Sequence, residues 1–81
     1  MISEKLKKII LQELSLPDFA LEDSTLALEV PRWDSLNHIK ILTAIEKEYD
    51  LHFKSLEVMR LKNVGDLQAL IDKKIQLKKM V

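Results

Sequence analysis

The sequence contains no cysteine, one glycine, two prolines and few aromatic residues. Without cysteine, the chain can form neither a disulfide framework nor a thiolate metal site. Aromatic residues make up 5% of the chain, against 47% for all hydrophobic residues. The core must therefore be built mainly from leucine and isoleucine. Because aliphatic side chains repack more readily than interlocked rings, such a core can tolerate deformation.

Two further absences narrow the functional classes. Basic and acidic residues both number 13, and the resulting net charge of zero argues against nucleic-acid binding driven by overall charge. No apolar run approaches the roughly 20 residues that span a bilayer. The segment from Met1 to Lys5 opens an amphipathic pattern and lacks the apolar stretch of a secretory signal. We therefore expect a cytoplasmic protein with no membrane span.

The pattern of apolar residues predicts helices and no strands. A chain of 81 residues is expected to form a single domain over 1–81. Apolar side chains recur at spacings of three and four in four stretches, which predicts an all-α, small four-helix bundle with a short third helix. The predicted helices run from Ser3 to about Leu14, Ser35 to Tyr49, Ser55 to Leu61, and Val64 to about Ile75. Ser3, Asp34 and Asn63 are candidate N-caps.

The second predicted helix has the clearest apolar stripe. Its members are Leu36, Ile39, Leu42, Ile45 and Tyr49, widened by Ile41. At the other end of the chain, the lysines Lys73, Lys74, Lys78 and Lys79 suit the negative end of a helix dipole better than a nucleic-acid patch. Residues 78–81 are expected to fray.

A long connection from Ser15 to Arg32 separates the first two helices. It contains both prolines, Pro17 and Pro31, and several residues that favour turns. Its apolar side chains predict an ordered loop pinned to the bundle, with a short helical turn near Phe19 to Leu21. A long loop in a small domain is usually functional.

A serine follows this loop at the start of the longest apolar stripe. The first backbone N–H groups of a helix lack helical partners, and this end of the dipole is positive. A phosphate esterified to Ser35 would gain roughly 0.3–1 kcal/mol there. Taken alone, however, Asp34 and Ser35 are typical of ordinary helix capping.

The wider segment resembles a known family. The run Arg32-Trp33-Asp34-Ser35-Leu36-Asn37-His38-Ile39 is similar to the modification site of acyl carrier proteins. The stretch from Ile41 to Tyr49 resembles the second helix of that family. The stretch from Leu61 to Leu67 resembles the start of its last helix. The resemblance extends over nearly the whole chain, including the long first loop.

This resemblance implies a non-enzymatic carrier that acts as a monomer. A phosphopantetheinyl transferase would attach 4′-phosphopantetheine from coenzyme A to the Ser35 hydroxyl, and the terminal thiol would hold acyl groups as thioesters. Asp34 would cap the helix and assist recognition or metal binding during modification. Trp33 would fold against the bundle. The partners would be acyl-transferring, ligating or synthase enzymes of one pathway.

Two sets of residues are expected around the arm. The expected partner contacts are Leu36, Asn37, Lys40, Glu46, Lys47, Val58 and Met59. The candidate lining of an acyl pocket is Ile39, Leu42, Ile45, Val58 and Leu67, although these residues are equally well explained as core. Burying an acyl chain would contribute about 0.8 kcal/mol per CH₂ before the cost of opening the core.

The chain departs from the family pattern in its charge. Fatty-acid carriers of this family are strongly acidic, whereas this chain is neutral, and Asn37 and Lys40 stand where acidic residues are common. Because charge complementarity governs partner choice and association rate, we expect a specialised carrier with its own partner enzymes. Ordinary drift in surface charge is the alternative.

Other functional classes fit less well. Asp34, Ser35 and His38 contain the residue types of a hydrolase triad, but a small helical chain offers little room for an oxyanion hole and cleft. His38 and His52 are too few for a structural zinc site. An aminoacyl or peptidyl carrier usually has glycines before the serine, where Trp33 and Asp34 stand here. An unmodified helical interaction module remains a rival from another class.

Overall fold

The computed structural model describes residues 1–79, and these form four α-helices and one turn of 3₁₀-helix. The helices are α1 (Glu4–Glu13), α2 (Ser35–Tyr49), α3 (Ser55–Met59) and α4 (Val64–Lys79), and the 3₁₀ turn spans Ala27–Glu29. The prediction of an all-α, four-helix fold with a long first loop and a short third helix is confirmed. None of the helices in the described range is long and apolar enough to cross a membrane.

Three polar side chains set where the long helices begin. Ser3, Asp34 and Asn63 each accept a hydrogen bond from the backbone N–H three residues further on, at 3.2, 2.8 and 2.8 Å. Each bond satisfies one of the amides that a helix start leaves without a partner. The three predicted N-caps are therefore confirmed, and the cap at Asp34 makes Ser35 the first residue of α2.

The core lies between α1, α2 and α4 and is almost entirely aliphatic. Loop residues from the α1–α2 and α2–α3 connections close it, and Phe53 in the second of these is the one aromatic ring among the buried residues of the described range. The buried members of the core are Leu6, Ile10, Leu14, Val30, Ile41, Ile45, Phe53, Val64, Leu67 and Ile71. The expectation of a core of leucine and isoleucine is confirmed.

The predicted apolar stripe of α2 is wrong at its N-terminal end. Leu36 and Ile39 are 62% and 61% exposed, whereas Ile41 and Ile45 are fully buried. With 3.6 residues per turn, positions 39 and 41 point to nearly opposite sides of the helix. Burial of the Ile41 face therefore turns Leu36 and Ile39 towards solvent.

Two short elements also differ from the predictions. The helical turn expected near Phe19 to Leu21 does not form, and the turn lies instead at Ala27–Glu29. There the Glu29 side chain reaches back to accept from the Leu26 backbone N–H at 2.8 Å. The third helix ends at Met59, before the predicted Leu61, because the amides that follow make only bonds of the i to i−3 type.

The last helix is longer than predicted. It continues past Ile75 to Lys79, so Lys78 and Lys79, which were expected to fray, are helical. The Lys78 ammonium donates to the Asp50 carbonyl at 2.7 Å and to its carboxylate at 2.9 Å, which fastens the end of α4 to the end of α2. Met80 and Val81, the other residues expected to fray, lie outside the described residues.

The start of α4 is docked on the long loop by backbone hydrogen bonds. The Val64 N–H donates to the Thr25 carbonyl and the Gly65 N–H donates to the Asp23 carbonyl, both at 2.9 Å. A Cβ atom on Gly65 would lie 2.8 Å from the Asp23 oxygen and 2.9 Å from the Asp23 Cβ. The contact therefore requires a residue without a side chain.

Replacement of Gly65 by alanine is expected to destabilise the protein by about 1–3 kcal/mol through this overlap. In an unobstructed helix the same change stabilises the protein by about 0.5–1 kcal/mol. A close contact with Asp23 and an unobstructed position therefore predict opposite signs for the change in stability. Urea unfolding followed by circular dichroism measures the change. Gln76→Ala, at an exposed position of the same helix, is the control, and a stabilised Gly65→Ala protein would contradict the docking.

Candidate attachment site at the start of the second helix

The Ser35 side chain is exposed on the first residue of α2. The backbone N–H of Asn37, two residues further on, donates to the Asp34 carboxylate. Among the described residues, the backbone N–H groups of Ser35 and Leu36 have no protein acceptor. A phosphate ester on Ser35 would thus meet two free donors at the positive end of the helix dipole. The residues present fit an anionic group at this hydroxyl.

The backbone before Ser35 is held in an unusual conformation. Arg32 has a φ of 68°, in the left-handed region that costs a residue with a side chain roughly 1–2 kcal/mol. Its guanidinium donates to the Ser15 carbonyl at 2.8 Å, at the end of α1. Its own carbonyl accepts from the Asn37 side-chain amide at 2.7 Å and from the Asp34 N–H at 3.0 Å. These bonds fix the direction in which the chain enters α2.

Trp33 and His38 form a pair beside the serine. The Trp33 Nε1–H donates to His38 Nδ1 at 3.0 Å, with the ring centroids 6.1 Å apart. The Trp33 ring packs against the core, as expected from the sequence. Because an indole N–H can only donate, His38 Nδ1 must be the acceptor, and the imidazole proton is then on Nε2. Burial lowers the pKa of His38 below its ordinary value.

Acidification is therefore expected to destabilise the fold through His38. Its pKa is lower in the folded than in the unfolded protein, so its contribution to stability is present above the unfolded pKa and is lost as pH falls through the folded pKa. Protonation of Nδ1 would also remove the acceptor for Trp33. We expect the urea midpoint to decrease as the pH is lowered from about 7.5 to about 5.5, the range in which histidine titrates.

The matched control for this pH dependence is His38→Asn. The asparagine oxygen can accept from Trp33 but does not titrate. The fall in midpoint over this range should become smaller in that variant, since carboxylates titrate lower. An unchanged slope would show that other groups cause the pH dependence.

The arrangement does not form a hydrolase triad. In such a triad the acid accepts a hydrogen bond from His Nδ1–H and the other ring nitrogen takes the serine proton. Here Nδ1 of His38 is itself an acceptor, and the Asp34 carboxylate accepts a hydrogen bond from the backbone N–H of Asn37. Asp34 therefore acts as a helix cap.

The candidate partner contacts do not all lie on one open surface. Leu36, Lys40, Lys47 and Met59 are exposed, whereas Asn37 and Val58 are half-buried. Glu46 is engaged within the protein: its carboxylate accepts from the Phe53 N–H at 2.8 Å and lies 3.1 Å from His52 Nδ1. Its carboxylate therefore braces the α2–α3 connection.

The candidate pocket residues divide into two groups. Ile39, Leu42 and Val58 border one cleft of about 190 Å³ between α2 and α3. Ile45 and Leu67 lie in the closed core and do not border it. Sequence reasoning missed the other lining residues of this cleft, which are Thr43, Glu46, Phe53 and Ser55.

Sequence reasoning also missed the roles of Arg32 and His38. For His38 a signal was present, because a half-buried tryptophan N–H needs a hydrogen-bond partner and His38 follows Trp33 by five residues. For Arg32 there was none, because arginine shows no preference for the left-handed conformation.

Comparisons with known proteins agree with this geometry. No protein-family model matches the chain. It is 31% identical over 72 residues to the acyl carrier protein of Buchnera aphidicola subsp. Baizongia pistaciae (strain Bp), which covers 89% of this chain and 92% of that protein. Its structure matches the solution NMR structure of a holo acyl carrier protein from Geobacter metallireducens with a TM-score of 0.89 and 35% identity. That match covers 95% of this chain and 88% of the other.

Similarity of this extent, in sequence and in the arrangement of the four helices, is sufficient to assign the chain. It belongs to the acyl carrier protein family, whose members are carriers and not catalysts.

Proposed function

We propose that this protein carries acyl groups on a 4′-phosphopantetheine arm attached to Ser35, in a specialised lipid, polyketide or related biosynthetic pathway. The observation that supports this most directly is the exposed Ser35 hydroxyl beside two amides, at the start of α2, that have no protein acceptor within residues 1–79. A phosphopantetheinyl transferase can reach this hydroxyl without unfolding any part of the bundle. We propose a monomer in the cytoplasm as the working form.

The residues that hold the arm are those around the hydroxyl. Ser35 would provide the ester oxygen, and the Ser35 and Leu36 amides would be available to the phosphate as donors. Asp34 keeps the helix start in place and offers one carboxylate for recognition or metal binding during modification. When bound, the group supplies a terminal thiol on which an acyl chain is held as a thioester.

The cleft between α2 and α3 is the proposed shelter for the first part of the acyl chain. Three of its wall residues, Ile39, Leu42 and Val58, are only partly buried or exposed. Moving them apart therefore costs less free energy than displacing Ile45 or Leu67 from the core. Each buried CH₂ would stabilise the sheltered state by about 0.8 kcal/mol. The cleft is small, so a longer chain must displace core side chains.

The exposed surface of α2 supports a specialised set of partners. Lys40 and Lys47 are exposed, while Glu46 is turned inward and braces the α2–α3 connection. Glu48 is exposed and lies 3.9 Å from Lys5 of α1. The part of the partner face that α2 contributes after its Asp34 cap is therefore apolar and cationic, with Leu36 and Ile39 beside Lys40, and Glu13 of α1 borders it. Partner enzymes with acidic docking faces fit this surface best.

One observation also favours the rival interaction module. Leu36, Ile39, Leu56 and Met59 expose large apolar side chains on α2 and α3, as a docking surface would whether or not Ser35 is modified. An aminoacyl or peptidyl carrier has the same chemistry at the serine. The identity of the cargo separates it from an acyl carrier.

Intact-mass spectrometry tests the proposal. The chain and Ser35→Ala are each incubated with coenzyme A and several phosphopantetheinyl transferases, and the same masses are measured on protein from the native host. We expect one phosphopantetheine group on the chain and none on Ser35→Ala. An acyl mass on the native protein supports the acyl carrier, and an aminoacyl mass the alternative. No modification by any transferase would favour the module.

A further inference from the structure

A groove beside Ser35 is not explained by attachment alone. It has a volume of about 560 Å³ and lies between the 3₁₀ turn and the first turns of α2. Its lining residues are Ala27, Trp33, Asp34, Ser35, His38 and Ile39. The groove is shallow and wide open to solvent, so it can contact a tethered group along one side. Ile39 also borders the smaller cleft between α2 and α3, so it separates the two spaces.

The wall of the groove is mainly apolar, and its polar groups include the Ser35 hydroxyl at the rim and the His38 imidazole. The Trp33 N–H is occupied by His38 Nδ1, which fixes the indole and leaves its ring as part of the wall. The Nε2–H of His38 donates to no protein acceptor among residues 1–79. Among the described residues, the groove is bordered by one carboxylate, that of Asp34, and by no lysine or arginine. Away from the helix start, where the Ser35 and Leu36 amides favour a phosphate, the wall of the groove suits a neutral group with apolar and amide parts.

We propose that this groove binds the pantetheine portion of the arm on Ser35, with its apolar part against Trp33 and an amide carbonyl accepting from His38 Nε2. This inference rests on the proposed function. The occupant is selected by attachment, because a group tethered at the rim has a high effective concentration there. His38 and Ser35 are three residues apart on α2 and so are neighbours on its surface. Trp33 and His38 are positioning residues that hold the idle arm on the loop side of α2.

The single tryptophan makes the proposal directly testable. The unmodified chain is converted to the phosphopantetheine form with coenzyme A and a transferase, and conversion is checked by intact mass. Acrylamide quenching of Trp33 fluorescence and the NMR signals of the Trp33 and His38 side chains are then compared before and after. We expect quenching to be roughly halved, the emission to shift to shorter wavelength, and both side-chain signals to move.

Two variants separate docking from mere attachment. Ser35→Glu adds negative charge without an arm and should leave quenching as in the unmodified chain. His38→Ala should still be modified but should lose most of the protection. Equal quenching with and without a confirmed arm would overturn the proposal and leave the proposed function intact.

Two other outcomes would also overturn it. Protection that grows with protein concentration in the unmodified chain would identify a second copy as the occupant. Failure of every transferase to modify Ser35 would overturn this inference together with the proposed function.

Discussion

Replacing Ile45 by alanine is expected to lower the free energy of unfolding by about 2–5 kcal/mol, the cost of removing an aliphatic group from a closed core. Ile45 is fully buried among residues of α1, α2 and α4. Domains in general have a total stability of only about 5–15 kcal/mol, and one of this size has a thin core. The Ile45→Ala variant should therefore unfold at a clearly lower urea concentration than the unchanged protein.

The matched change is Ile39→Ala, on the same helix and of the same chemistry. Ile39 is 61% exposed, so we expect its replacement to alter stability by no more than about 0.5 kcal/mol. Urea unfolding of both variants, followed by circular dichroism, gives the comparison. Equal losses would contradict the orientation of α2 described here.

The same pair distinguishes the core from the acyl shelter. Ile39 borders the cleft between α2 and α3, and Ile45 does not. Ile39→Ala should therefore reduce the extra stability that an attached acyl chain confers, while leaving the unmodified protein almost unchanged. Ile45 contributes to the shelter only if the core opens.

The start of α2 could be predicted from the sequence because its causes are local. An Asp at the cap, a Pro three residues earlier and an apolar period that begins at once all lie within a few residues of Ser35. A capping side chain followed by an apolar period likewise predicted the starts of α1 and α4. The position of Ser35 as the first residue of α2 follows from these signals.

The orientation of α2 could not be predicted in the same way. Leu36 and Ile39 belong to an apolar pattern as regular as that of Ile41 and Ile45, and only packing against α1 and α4 decides which face is buried. The inward position of Glu46 depends likewise on the path of the α2–α3 connection, where it accepts from the Phe53 amide. Such choices depend on contacts between elements that are distant in sequence.

The long loop illustrates the same limit. The sequence predicted an ordered connection from its apolar side chains, but not the bonds that order it. Arg32 is left-handed because its guanidinium is held by the end of α1 and its carbonyl by Asn37. The loop is thus fastened at Arg32 and, through Asp23 and Thr25, at the start of α4. The anchor at Arg32 lies next to Trp33, which forms part of the wall of the groove beside Ser35.

The exposed lysines of α2 are expected to have a large effect on the rate at which a transferase modifies Ser35. Lys40→Glu combined with Lys47→Glu is expected to increase the rate of Ser35 modification at least about tenfold with a transferase that docks acidic carrier helices through a basic face. Both lysines are exposed, and the substitutions give this face the negative charge that a basic docking face attracts. The second-order rate constant kcat/KM, measured by intact mass over time, gives the effect.

The control pair is Lys8→Glu with Lys73→Glu. These lysines are exposed on α1 and α4, and the substitutions change the net charge by the same amount. If the local face of α2 determines docking, this pair should alter the rate far less. The gain from the α2 pair should also shrink as salt is raised from about 0.05 to about 0.5 M, because screening shortens the range of the attraction. Equal gains from the two pairs would show that overall charge governs association, and the case for specialised partners would then lose its basis in the α2 surface.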